Sequence, residues 1–214
     1  MNQINSIKTL ILAAAASLGL ATAGCAGEGP NAAPTVVAGD LLGRNYAGVT
    51  FDYYDLKDGP PGVARGYTFE ANIPVISKFD FKLTHEFAQA EAYGLKVRNN
   101  TLFASAVAYT PSEYGTLYTE VGAGWSWLSG AAHDDSFAFR VGVGSEIAVA
   151  PSITLTPFVN FQRATGFNSS EIRPGVKATY RMADSWGLSA KAEYIAARHD
   201  SDSIEYSVGL NYRF

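Results

Sequence analysis

Cysteine is nearly missing: Cys25 stands alone among 214 residues, so no internal disulfide can brace the fold. A basic surplus is missing too. Lys and Arg number 16 against 20 Asp and Glu, a net charge of −4, which sets aside nucleic-acid binding and the basic face it needs. Charged residues of all kinds make up only 17%, below the quarter usual in soluble domains. Long apolar runs are absent beyond the first residues. The one near the start, Thr9 to Ala21, falls short of the roughly 20 residues a spanning helix requires. With Lys8 before it and Ala21-Thr22-Ala23 after it, the run reads as a secretory signal peptide over residues 1–26. A helical inner-membrane protein is not expected.

Cys25 lies at the edge of that peptide. Thr22-Ala23-Gly24-Cys25 partly resembles a bacterial lipoprotein box, with Thr22 where Leu is usual, so a lipidated and an unmodified Cys25 both stay open. Residues 27–43 are rich in Gly, Ala and Pro without any period, and read as a short periplasmic N-terminal tether. Residues 44–214 carry the domain.

What is abundant is glycine, 21 residues, together with 12 Tyr, 12 Phe and 3 Trp. The mean hydropathy of zero conceals a strict order, because apolar and polar residues alternate rather than cluster. A strand sends successive side chains to opposite faces, so alternation marks strands with one apolar and one polar face. Ala47, Val49, Phe51 and Tyr53 oppose Gly48, Thr50 and Asp52. Tyr67, Phe69, Ala71 and Ile73 oppose Gly66, Thr68, Glu70 and Asn72. Similar segments follow at 79–87, 117–127, 137–147, 153–162, 173–180, 186–194 and 204–214, with turn signals such as Lys57-Asp58-Gly59-Pro60-Pro61-Gly62 and Ala150-Pro151-Ser152 between them. Around 97–110 the pattern blurs, since Leu102, Ala104, Ala106 and Ala108 are as apolar as Phe103, Val107 and Tyr109. The expected fold is all-β, an antiparallel up-and-down transmembrane barrel of ten strands, or eight if the blurred stretch is a loop.

The final segment, Ser207-Val208-Gly209-Leu210-Asn211-Tyr212-Arg213-Phe214, carries a resemblance. A polar residue, a glycine and two aromatics on alternate positions resemble the C-terminal sorting signal of bacterial outer-membrane barrels, with Ser207, Gly209, Tyr212 and Phe214 in those places. Composition and architecture are likewise similar to small outer-membrane barrels of the OmpA and OmpX type in the porin family. The resemblance implies residence in the outer membrane of a Gram-negative cell envelope. It also implies recognition by the barrel-assembly machinery and contact with outer-membrane lipid and lipopolysaccharide.

Two features of the polar parity favour a lumen over a solvated face. Glycines recur on it, and an exposed strand interior gains little from glycine. Inside a narrow barrel they make room for large neighbours. Both signs of charge also share that parity: Glu70, Glu86, Glu120, Glu146 and Glu193 with Lys82, Arg140, Lys177, Lys191 and Arg213. Asp52, Asp80, Arg173 and Glu205 fall on it as well. Charges removed from water must pair, so a lumen filled by ion pairs is expected. Trp125 and Trp127 are expected near the outer rim, and Trp186, Tyr109, Tyr180 and Phe214 near the periplasmic one, forming two aromatic girdles.

Chemistry is sparse. His133-Asp134-Asp135 and His199-Asp200-Ser201-Asp202 fall in expected outer loops, where omptin proteases place Asp pairs and an Asp–His pair. His199, Ser201 and Glu205 are also similar to the His-x-Ser and Glu of lipid A deacylases. The chain lacks the long loops of the first family and the flanking motif of the second. The expectation is a structural or surface-interacting barrel, not an enzyme, with no cofactor and no metal. A small diffusion pore is the alternative.

Overall fold

The computed structural model describes residues 41–57, 63–92, 95–131, 133–198 and 202–214. The expected signal peptide, Cys25 and most of the expected tether lie outside the described residues. Ten strands follow one another: β1 (Tyr46–Leu56), β2 (Val63–Ile76), β3 (Phe79–Ala92), β4 (Leu95–Ser112), β5 (Gly115–Gly130), β6 (Asp134–Ala150), β7 (Ile153–Ala164), β8 (Ser169–Arg181), β9 (Trp186–Arg198) and β10 (Ser203–Arg213). Each pairs antiparallel with its chain neighbours, and β1 pairs with β10 to close the ring. The count is ten, not eight. The blurred stretch 97–110 lies inside β4, at 18 residues the longest strand.

Hairpins at the rim that carries Tyr46 and Arg213 turn through short connections, such as Ser77-Lys78 and Pro151-Ser152. Lys78 adopts φ +64° there, the left-handed conformation that a two-residue hairpin turn requires. This is the periplasmic rim, following the rule that outer-membrane barrels keep their tight turns there.

The sheet is inside-out relative to a soluble protein. Phe51 is 70% exposed and Val208 57%, while Glu205 is 1% exposed and Glu120 3%. Ring closure leaves no edge strand, so every strand's backbone can pair within the wall, as a bilayer demands. The apolar parity needs a surrounding that is not water; the polar parity needs a small enclosed lumen.

Register shifts occur between Pro74 and Ile76 and between Ala148 and Ala150, and two further gaps in the ladders lie beside prolines. The β6–β7 pairing skips from Gly144↔Phe158 to Ile147↔Leu155, beside Pro157. The β8–β9 pairing skips from Ile172↔Ala196 to Gly175↔Glu193, beside Pro174. Proline has no N–H to give a ladder. The β7–β8 seam between these prolines is unbroken, as is the closing β1–β10 seam.

Candidate functional site in the barrel lumen

Strand parity brings the charged residues together, and their lengths let them reach across. Lys177 lies 4.0 Å from Glu70, and Glu70 lies 3.9 Å from Lys82. Lys82 pairs with Glu120, and Glu120 stands 3.9 Å from Arg140. Arg140 pairs with Glu86, whose other oxygen is 3.6 Å from Arg173. Arg173 pairs with Glu193 and, at 2.6 Å, with Glu205. Lys191 completes the set at 3.3 Å from Glu193 and 2.5 Å from Glu205. One connected, charge-balanced network thus joins five cations to five carboxylates.

Its central link spans the lumen. Glu86 is on β3 and Arg173 on β8, five strands apart in a ring of ten. Opposite walls are therefore tied at mid-height. Neutral donors finish the carboxylates: Tyr46 donates to Glu70, and Ser207 donates to Glu205 at 2.8 Å. Asp52, outside the network, accepts from Thr50 at 3.0 Å and Thr68 at 2.9 Å.

Below the network, residues 41–44 form a strap across the periplasmic mouth. Leu41 is buried at 4% exposure. The Leu42 amide faces Glu146 at 3.4 Å, and the Gly43 amide donates to Asp80 at 2.8 Å. The Asn72 amide donates to Asp80 at 2.7 Å and to the Arg44 carbonyl at 3.0 Å. Residues 41–43, expected in the tether, thus belong to the barrel. A cavity of about 150 Å³ remains, lined by Glu70, Lys82, Arg140, Arg173 and their neighbours.

Glycines make room as expected. A Cβ on Gly144 would lie 2.7 Å from the Tyr118 ring, and one on Gly175 would lie 2.6 Å from both Phe158 Cζ and Glu193 Cβ. Phe103 explains the blurred pattern of β4. It faces inward at 0% exposure with the Arg140 guanidinium 4.3 Å above its ring, a cation–π contact that lets an aromatic ring sit in a charged lumen.

Of the residues expected in the lumen, Glu70, Lys82, Glu86, Glu120, Arg140, Lys177, Lys191 and Glu193 meet in the network. Glu146 lies apart, at the strap. Arg213 stands at the periplasmic rim, beside Tyr46. Arg173 and Glu205 share the same parity, and the structure gives them the central place. Tyr46, Tyr54 and Tyr118 line the cavity too; their even positions among Gly48, Thr50, Asp52 and Glu120 were the signal.

Trp125 and Trp127 face outward at the outer side, where the Trp125 indole donates to Asp135 at 3.0 Å. Trp186 and Tyr180 face outward at the periplasmic side, with the Tyr212 ring tilted 4.9 Å from Trp186 and Phe214 stacked 6.4 Å beyond it. Tyr109 is corrected. It shares the inward parity of Phe103 and Val107, and its hydroxyl lies against Gly43, so it supports the strap rather than the girdle. His133 is exposed at the start of β6, and His199 lies outside the described residues. No cluster of three metal-ligating side chains occurs among the described residues.

Closed ring, apolar exterior and charged interior define a transmembrane β-barrel of the bacterial outer-membrane kind. Solved structures share this fold. The chain matches the translocator domain of autotransporter NalP from Neisseria meningitidis with a TM-score of 0.50 and 13% identity, over 80% of this chain and 88% of that one. It matches the beta domain of the Bordetella autotransporter BrkA with a TM-score of 0.50 and 11% identity, over 80% and 99%. It matches the COG4313 outer membrane channel from Pseudomonas putida F1 with a TM-score of 0.52 and 7% identity, over 80% and 96%. No family model and no curated protein matches the sequence. At these identities the likeness is one of fold.

Proposed function

We propose that this protein is a structural, surface-interacting barrel of the outer membrane whose lumen does not conduct. The observation that carries the reading is the tie between Glu86 and Arg173 on opposite walls. An ion crossing the lumen must part charges already paired away from water, and breaking such pairs costs several kcal/mol. The strap at residues 41–44 adds a second obstruction.

Planar-bilayer recordings of the purified barrel are expected to show little or no steady conductance. The E86A/R173A variant, which removes the cross-lumen tie without changing net charge, is expected to open more often. Large stable openings from every wild-type insertion would instead establish a diffusion pore, the reading that the charged cavity of about 150 Å³ favours.

The proposal includes no enzymatic activity. At the outer rim no connection between successive strands exceeds six residues, and the purified barrel is expected to cleave neither peptides nor lipid A acyl chains in direct assays. Turnover lost in an H133A/H199A variant would overturn this.

It also includes delivery by the barrel-assembly machinery through Ser207, Gly209, Tyr212 and Phe214. Phe214 is 71% exposed and makes one backbone bond, its amide to the Asn45 carbonyl at 3.2 Å. Little of the barrel's own stability depends on its ring. Phe214→Ala is therefore expected to lower the assembled fraction in cells several-fold while refolding normally in detergent micelles. Equal loss in both settings would assign Phe214 to stability alone.

A further inference from the structure

A row of alternating rings and glycines crosses one wall of the lumen. Tyr118 on β5 is in register with Gly144 on β6, Gly144 with Phe158 on β7, and Phe158 with Gly175 on β8. Each ring lies over the glycine next to it. A Cβ on Gly144 would meet the Tyr118 ring at 2.7 Å, and one on Gly175 would meet the tip of Phe158 at 2.6 Å. The rings are therefore folded sideways along the wall and do not fill the lumen. Both remain half-buried, and both line the lumen cavity of about 150 Å³.

The arc facing them is polar. Thr84 on β3 and Asn211 on β10 line the same cavity, and these strands lie on either side of β1, which stands across the ring from β6. Thr84 is 2% exposed and Asn211 4%. Neither the Thr84 hydroxyl nor the Asn211 amide nitrogen has a hydrogen-bond partner among the described residues. Buried polar groups are costly without partners, so both point to something that the chain itself does not supply.

Water meets half of this need. It settles where roughly two to four polar groups converge, and the two rings offer it nothing. An ion meets less of it. The cations of the lumen already face its carboxylates, and a newcomer's charge would lie there uncompensated. What matches rings on one side and an unpaired amide and hydroxyl on the other is a neutral molecule with an apolar edge and several hydroxyls. A hydroxyl both donates and accepts, so it serves Asn211 and Thr84 alike. Size narrows the class, because a cavity of this volume takes a molecule like benzene, of roughly six or seven non-hydrogen atoms.

We propose that the lumen cavity binds a short neutral polyol of about three or four carbons. Its C–H edge lies on Tyr118 and Phe158, and its hydroxyls meet Asn211 and Thr84. Leu41 and Leu42 of the strap line the cavity on the periplasmic side. The polyol is held between strap and network rather than passed through the barrel.

Saturation-transfer NMR on the folded barrel in perdeuterated micelles reads polyol binding directly. Glycerol and erythritol are expected to saturate with midpoints on the order of 1–10 mM, the strength that so few atoms allow. Glucose, about twice their size, should bind at least about tenfold more weakly because the cavity cannot take it. In labelled wild type the Asn211 side-chain amide signal should shift along the same curve. T84V, which keeps the shape and removes the hydroxyl, and N211S should each weaken binding about fivefold. F158L, which keeps an apolar side chain and removes the ring face, should weaken it about threefold. Ser105 supplies the control, since its hydroxyl is also buried and unpartnered among the described residues but lies outside the cavity. S105A should bind as wild type does. Equal transfer to glucose, a shift that grows without saturating, or T84V and N211S matching S105A would overturn the site and leave the cavity to water. The size comparison is made on the wild type, so it decides even where a variant fails the heat-modifiable gel test of folding.

Discussion

Arg173→Ala is expected to destabilise the barrel by about 3–5 kcal/mol, the cost of leaving buried charges without their partner. Arg173 touches Glu86, Glu193 and Glu205, so its removal crowds three carboxylates around an empty space. Lys191 still faces two of them; Glu86 keeps only Arg140. Urea unfolding in micelles, followed by fluorescence of Trp125, Trp127 and Trp186, reads the change as a shifted midpoint at unchanged slope. R173A/E205Q, which removes one of the stranded charges, is expected to recover part of the loss. A shift below about 1 kcal/mol, the range of solvent-exposed pairs, would mean that water fills the lumen and screens the network.

The second large effect is steric. Gly175→Val is expected to prevent the ring from closing in its native register. Even a first added carbon meets Phe158 on β7 and Glu193 on β9 at 2.6 Å, well inside van der Waals contact, and valine adds two methyl groups. Overpacking a tight interior costs typically about 1–3 kcal/mol, more when neighbours cannot move. Here Glu193 is fixed by Arg173 and Lys191. Refolding yield into micelles, scored by heat-modifiable mobility, should fall to a small fraction of wild type. Ala at the same position should give an intermediate yield. Wild-type yield from the valine variant would show that Phe158 is free to leave the lumen.

The architecture was legible because a two-residue period survives in nearly every strand. Glu205, Ser207, Gly209 and Asn211 alternate with Tyr206, Val208, Leu210 and Tyr212 in sequence as they do in space. Legibility failed where both parities are apolar. Phe103 and Val107 face the lumen while Leu102, Ala104 and Ala106 face outward, and nothing local distinguishes them. Tyr109 was misplaced for that reason. The membership of the lumen was also legible, since parity alone selects it. Its wiring was not. That Glu86 meets Arg173 depends on ring closure and register, which a strand-by-strand reading cannot supply. The strap was hidden differently: Leu41, Leu42 and Gly43 have no period, and Leu42 and Gly43 are held through backbone amides that any residue except proline could offer.

The two proline lapses give the wall a grain. β7 and β8 hold each other along an unbroken seam, from Ile153↔Tyr180 to Ala164↔Ser169, yet each meets its other neighbour across a gap in the ladder. The closing seam between β1 and β10, where a ring made from one chain has its join, is continuous from Tyr46↔Arg213 to Leu56↔Ser203. The wall is thus fastened most continuously at β7–β8 and at its join, and least beside Pro157 and Pro174, where a proline cannot donate to the ladder.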